Sequence, residues 1–215
     1  MTGIWQNIWT GLTTASPLDQ LNLALGLAGV ALMVRRSLWA FPVGLVAVSV
    51  QAVLFYRIGF PADAALQVFF FGALVWGWWH WVKHRGAAPE LPVTRLEPRG
   101  LALVLLGAGA GTAGWVALVA PYIHSSMPWR DAFIAMFSVA AQLLQARKKV
   151  ENWALWTLVN VVAIASYWSA EAAYTAFLYA VYLGLGLLGW REWAQAMKQP
   201  AVPAENPGTS RPLPS

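Results

Sequence analysis

The chain has 215 residues, 59% hydrophobic and only 11% charged, whereas a soluble domain carries about 25% charged residues. It has no Cys, which excludes disulfide scaffolds, zinc ribbons and thiol enzymes. Fourteen Lys and Arg against nine Asp and Glu give a formal charge of +5, an excess that in a membrane protein reports topology.

At the start of the chain, Ile4, Trp5, Ile8, Trp9 and Leu12 fall on one side of a helix, so residues 1–16 are expected to lie in the outer membrane interface. No basic residue precedes Arg35, and a cleaved signal peptide needs a positive start, so none is expected. Apolar windows between charges then predict seven spans, at 18–34, 40–56, 62–82, 100–122, 131–146, 153–168 and 172–193, near the ~20 residues that cross a bilayer. The stretch 83–99, with Pro89, Pro92 and Pro98, reads as a linker. The tail 199–215 holds five prolines and little that could be buried, so it is expected to be disordered.

If the spans alternate in direction, twelve of the fourteen basic residues fall on one side, among them Arg35, Arg36, Arg147, Lys148 and Lys149. Only Arg57 and Arg130 fall on the other. Lys and Arg are retained on the cytoplasmic side, so the N-terminus is expected outside and the C-terminus in the cytoplasm.

Shifting the sequence by 112 residues aligns Asp19 with Asp131, Arg35 with Arg147, Leu66 with Leu178 and Gly72 with Gly184 without a gap. It also aligns Gly77, Trp78 and Trp81 with Gly189, Trp190 and Trp193. The expected fold is therefore an all-α membrane protein with seven transmembrane helices in a 3+1+3 parallel-repeat arrangement, the plan of small SWEET-like facilitators. Its units would be 17–82 and 128–195, with 100–122 as connector. Such folds bind substrate near the bilayer midplane, between the repeats.

In the sixth span Trp153, Trp156, Asn160 and Tyr167 share one helical stripe. A mid-span Asn is disfavoured in hydrocarbon unless it faces the bundle or a wet cavity, and indoles beside it offer flat faces to a ring or a cationic heterocycle. In the third span Gln67 shares a face with Phe71, Leu74, Trp78 and Trp81, and in the seventh Tyr179 and Tyr182 align with Gly186 and Gly189. Under the shift, Val48 stands opposite Asn160, Phe41 opposite Trp153, and Gly44 opposite Trp156. The frame is duplicated and the polar groups are not, as one asymmetric ligand at a pseudo-symmetric interface requires.

Competing readings apply to several of these residues. Trp76, Trp78, Trp79, Trp81, Trp190 and Trp193 lie at predicted cytoplasmic ends, where an interfacial aromatic belt accounts for most of them. Gln142 and Gln51 could bond a neighbouring helix as well as a ligand. Every acidic residue lies near a span end or in a loop, so ion coupling is not expected and facilitated diffusion is. No motif for catalysis, cofactor or metal is present.

The run A-Q-x-L-x-A-R-K-K-x-E-N-W-x-L-W-x-x-x-N from Ala141 to Asn160, with L-Q-V-F-F from Leu66 to Phe70 and the following G-W-x-x-W, resembles the PnuC family of bacterial vitamin transporters over nearly all of residues 15–195. The resemblance implies seven helices, a homotrimer in the bacterial inner membrane, and uniport of nicotinamide riboside with trapping by a cytoplasmic kinase. It carries Trp153, Trp156, Asn160 and Gln67 over as substrate-binding residues, with Trp78, Tyr182 and Gln142 beside them. Relatives with similar frames carry thiamine, riboflavin or deoxynucleosides. A non-transporting seven-helix sensor is the alternative of another class.

Overall fold

Proline opens four of the helices, where its missing N–H is an unbonded position in any case. The computed structural model describes residues 2–122 and 127–198, and among them eight α-helices. These are α1 (Thr2–Thr14), α2 (Pro17–Val34), α3 (Ala40–Arg57), α4 (Pro61–His84), α5 (Pro98–Leu118), α6 (Pro128–Ala146), α7 (Asn152–Ser169) and α8 (Ala173–Ala196). At the head of α2, Ser16 accepts from the Asp19 N–H at 3.2 Å and donates to the Asp19 carboxylate at 2.6 Å, satisfying an orphan amide of the first turn.

The seven predicted segments coincide with α2 to α8. Among the described residues four stretches are long and apolar enough to cross a membrane by themselves: α2, α3, α8, and α5 continued by a 3₁₀ turn to Tyr122. The other three, α4, α6 and α7, carry more of the polar side chains: Gln67 and His80, then Ser138, Gln142 and Gln145, then Asn152 and Asn160. The predicted tail 199–215 lies outside the described residues.

Within the fold α2 packs on α3 and α3 on α4, and likewise α6 on α7 and α7 on α8. The two groups meet twice, α4 against α6 and α2 against α8. A 112-residue shift converts one of these contacts into the other, so the pairing has two-fold character. Helix α5 packs on α6, and α1 packs on α8.

The backbone repeats with the same period. Arg36 and Lys148, 112 residues apart, both turn left-handed at φ 58° and 54°, and so do Gly59 and Glu171 at 83° and 58°. Arg36 donates its N–H to the Met33 carbonyl, and Lys148 to the Gln145 carbonyl, each at 2.9 Å. Non-glycine residues rarely adopt this conformation. Matching it at matching positions goes beyond what shared apolar composition would produce.

One expectation from the sequence changes here. Trp81 and Trp193, expected in an interfacial belt, are buried at 2% and 0% exposure. The Trp81 indole N–H donates to the Ala146 carbonyl and that of Trp193 to the Met33 carbonyl, both at 3.1 Å. Each unit thus satisfies the end of the other's first helix, where carbonyls have no partner within the helix. The stretch read as a linker is itself fastened to the fold: Thr94 forms a parallel bridge with Lys149, and Leu91 and Val93 pack on the core.

A candidate substrate cavity

A cavity of about 650 Å³ opens between the two groups of helices, within the usual size range for small-molecule sites. Helices α6 and α7 supply most of its polar groups, α7 through Trp153, Trp156, Asn160 and Tyr167. Trp153 lies there with 2% exposure, its ring edge-on to Trp193 at 5.5 Å. Its seat depends on Gly189, where a Cβ would stand 2.5 Å from the indole. The Trp153 N–H is buried and has no acceptor among the described residues.

One turn on, Trp156 donates its N–H to the Gln145 side-chain oxygen at 2.9 Å, which fixes the ring plane. Asn160 follows at 6% exposure, with Gln142 of α6 at 7%, and both line the cavity. Gln67 reaches it from α4 and Tyr182 from α8. Tyr182 fits because residue 26 is glycine: a Cβ there would lie 2.6 Å from the phenol oxygen. Amides and indole edges facing one chamber can donate to and accept from an uncharged polar ligand, while ring faces stack on a flat one.

Six of the seven sequence-predicted residues therefore line one cavity. Trp78 does not: it is 37% exposed and stacks on Phe41 with centroids 6.4 Å apart. It shares a helical stripe with Gln67 but lies about 16 Å further along the axis, and Leu74 is the last α4 residue at the cavity.

The sequence reading missed several lining residues. Gln145 orients Trp156, and nothing in the spacing distinguishes it from Gln142. Asp63, Arg130 and Asp131, read as terminal charges, also reach the cavity. They stand in the first turns of α4 and α6, with Arg130 paired to Asp131 at 2.8 Å. Beside them Tyr167 and Tyr179 stack with centroids 5.4 Å apart, and the Arg130 guanidinium lies 5.9 Å from the Tyr167 ring centre. Among the described residues no group of three or more His, Asp or Glu could hold a metal.

The model of the nicotinamide mononucleotide transporter family matches residues 16–195. The chain belongs to that family. It is 31% identical over 180 residues to the riboflavin/roseoflavin transporter RibM of Streptomyces davaonensis, covering 81% of this chain and 83% of the relative. It is 27% identical over 182 residues to the nicotinamide riboside transporter PnuC of Escherichia coli, covering 73% and 76%. A crystal structure of the vitamin B3 transporter PnuC superposes with a TM-score of 0.73 at 21% identity, over 91% of this chain and 88% of that one, which establishes a shared fold. The protein is thus a PnuC-family membrane transporter and not an enzyme.

Proposed function

We propose that the protein is a uniporter for nicotinamide riboside in the bacterial inner membrane. The observation that carries this reading is the juxtaposition of Gln67, Gln142 and Asn160 with Trp153 and Trp156 in one cavity. The amides bond the ribose and carboxamide while the indoles stack on the pyridinium. Asp63 and Asp131, set against the single cation Arg130 at one end of the cavity, favour a cationic ligand over an anionic one.

The topology in this reading is 3+1+3, with α2–α4 and α6–α8 as rocking units and α5 as connector. The outer face carries the N-terminus and the first turns of α4 and α6; the basic turns face the cytoplasm. The acidic pair stands at the outer mouth rather than at mid-membrane, consistent with facilitated diffusion without ion coupling. Direction then comes from a cytoplasmic kinase that traps the vitamin, and the assembly is a homotrimer.

Riboflavin is the second reading, favoured by the 31% identity to a riboflavin transporter. Counterflow in proteoliposomes decides among them. Labelled nicotinamide riboside is expected to exchange saturably and in the absence of ion gradients. Exchange of riboflavin alone overturns the substrate, dependence on a proton or sodium gradient overturns uniport, and no exchange of any vitamin favours a sensor.

A further inference from the structure

Arg36 and Lys148, the left-handed residues at equivalent positions in the α2–α3 and α6–α7 turns, share one carboxylate. Glu90 Oε1 lies 3.2 Å from Arg36 Nε, and Glu90 Oε2 lies 3.1 Å from Lys148 Nζ. Glu90 belongs to neither unit; it lies in the segment between α4 and α5. The two cations differ in their surroundings. The Arg36 side chain is 21% exposed and that of Lys148 0%. The Lys148 ammonium also sits 4.4 Å from the centre of the Trp81 ring. Burial pushes its pKa down and Glu90 pushes it back up, so the carboxylate is the partner that keeps a buried charge tolerable.

The same segment is fastened further along. Thr94 donates its N–H to the Lys148 carbonyl at 3.2 Å and accepts from the Val150 N–H at 3.0 Å. The Lys149 ammonium donates to the Arg95 carbonyl at 3.2 Å, and the Leu96 N–H donates to Glu151 Oε2 at 3.0 Å. Leu91 and Val93 press on the cluster formed by Met33, Trp81, Trp153 and Trp193. Met33 and Trp153 also line the cavity, so the segment lies over its inner end.

We propose that residues 90–96 form an inner latch, in which Glu90 pins the two equivalent turns together while the cavity is closed to the cytoplasm and lets go of at least one when the units part. The inference rests on the transport reading above. The geometry leaves little alternative for an opening motion: a rocking movement that opens the inner end carries the two turns in opposite senses, and one carboxylate cannot follow both. The strap hangs on the α6–α7 turn by backbone bonds, so the contact with the more exposed Arg36 is the one that breaks first.

The absence of Cys makes a single introduced thiol an unambiguous reporter. Val30→Cys places one on the cavity wall next to the core cluster. In inside-out vesicles a membrane-impermeant maleimide is expected to label it roughly tenfold faster when Glu90→Gln is added, because an unpaired buried ammonium destabilises the closed form. Equal rates with and without Glu90→Gln overturn the latch. A second test makes the breaking contact permanent: in Arg36→Cys/Glu90→Cys, at the pair now 3.2 Å apart, a short, reducible thiol cross-linker ties the strap to the α2–α3 turn. Counterflow of labelled nicotinamide riboside is expected to stop on cross-linking and return on reduction, which also controls for folding. Undiminished exchange in the cross-linked protein overturns the latch. If none of the vitamins exchanges even before cross-linking, it is the transport reading that fails.

Discussion

The units α2–α4 and α6–α8 have the same backbone turns and different interiors. Phe41 in the first occupies the seat that Trp153 occupies in the second, buried at 1% and 2% exposure. Each ring rests against an equivalent glycine: a Cβ on Gly77 would stand 3.1 Å from Phe41, and one on Gly189 would stand 2.5 Å from Trp153. One turn on, Gly44 stands where the second unit has Trp156, and Val48 stands where it has Asn160. The seat thus occurs twice, and at these three positions the hydrogen-bonding groups stand only on α7. The apolar copy is closely packed at this point: a Cβ on Gly44 would meet Leu74 at 3.3 Å.

The comparison breaks most visibly at the glycines. Gly189→Ala is expected to displace the Trp153 ring and lower substrate affinity by about a hundredfold, at the upper end of about 1–3 kcal/mol for overpacking. Gly184→Ala, where no atom lies within 4 Å of the new Cβ, should leave affinity unchanged; titration calorimetry on both proteins is the check. Parental affinity in Gly189→Ala would show that the ring's seat is irrelevant to binding. Next in size, Asn160→Ala should weaken binding by about tenfold to thirtyfold while the melting temperature holds, since the ligand loses a partner inside a desolvated site. Val48→Ala, at the equivalent position, should lose less.

A smaller effect tests how the indoles are held. Trp156→Phe removes the donor to Gln145, and about 1 kcal/mol, or roughly fivefold in affinity, should go with it. Gln145→Leu on top of Trp156→Phe should add little, because a double-mutant cycle across a bonded pair is not additive.

The smallest effect separates the two equivalent cations. Burial holds the Lys148 pKa below the ordinary lysine value of 10.5. The unfolded chain therefore keeps this proton to higher pH than the folded one. Stability contributed at this site should rise as pH climbs through the window just below 10.5. Melting curves of Lys148→Met should lack that rise relative to the parent. Arg36→Met should keep it, since a guanidinium stays protonated throughout. Identical pH profiles for Lys148→Met and the parent would remove the distinction between the two turns.

Much of this architecture was legible beforehand because it is written in local periods. The seven apolar segments appear as helices because a helix satisfies its own backbone groups whatever surrounds it. The stripe from Trp153 to Tyr167 follows from 3.6 residues per turn, and the 112-residue register follows from ungapped matches of Asp, Arg and Gly. These quantities need only the chain itself. Trp78 shows the limit: periodicity places it on one stripe with Gln67, but the depth at which the cavity ends depends on how Phe41 and Leu74 fill the space beside it.

What tertiary structure alone decided lies where two distant segments meet. Trp81 and Trp193 have the sequence of interfacial anchors, yet α4 lies against α6 and α2 against α8, so their indoles find carbonyls at the end of the opposing helix and leave the surface. Asp63 and Asp131 sit at helix starts by sequence and reach the cavity only because α4 and α6 pack together. Glu90 reads as a loop charge until the fold brings Arg36 and Lys148 within reach of one carboxylate. A helix's period and direction are properties of its own residues; the partner that each side chain meets is a property of the packing, and the chemistry of this cavity and its strap depends on those partners.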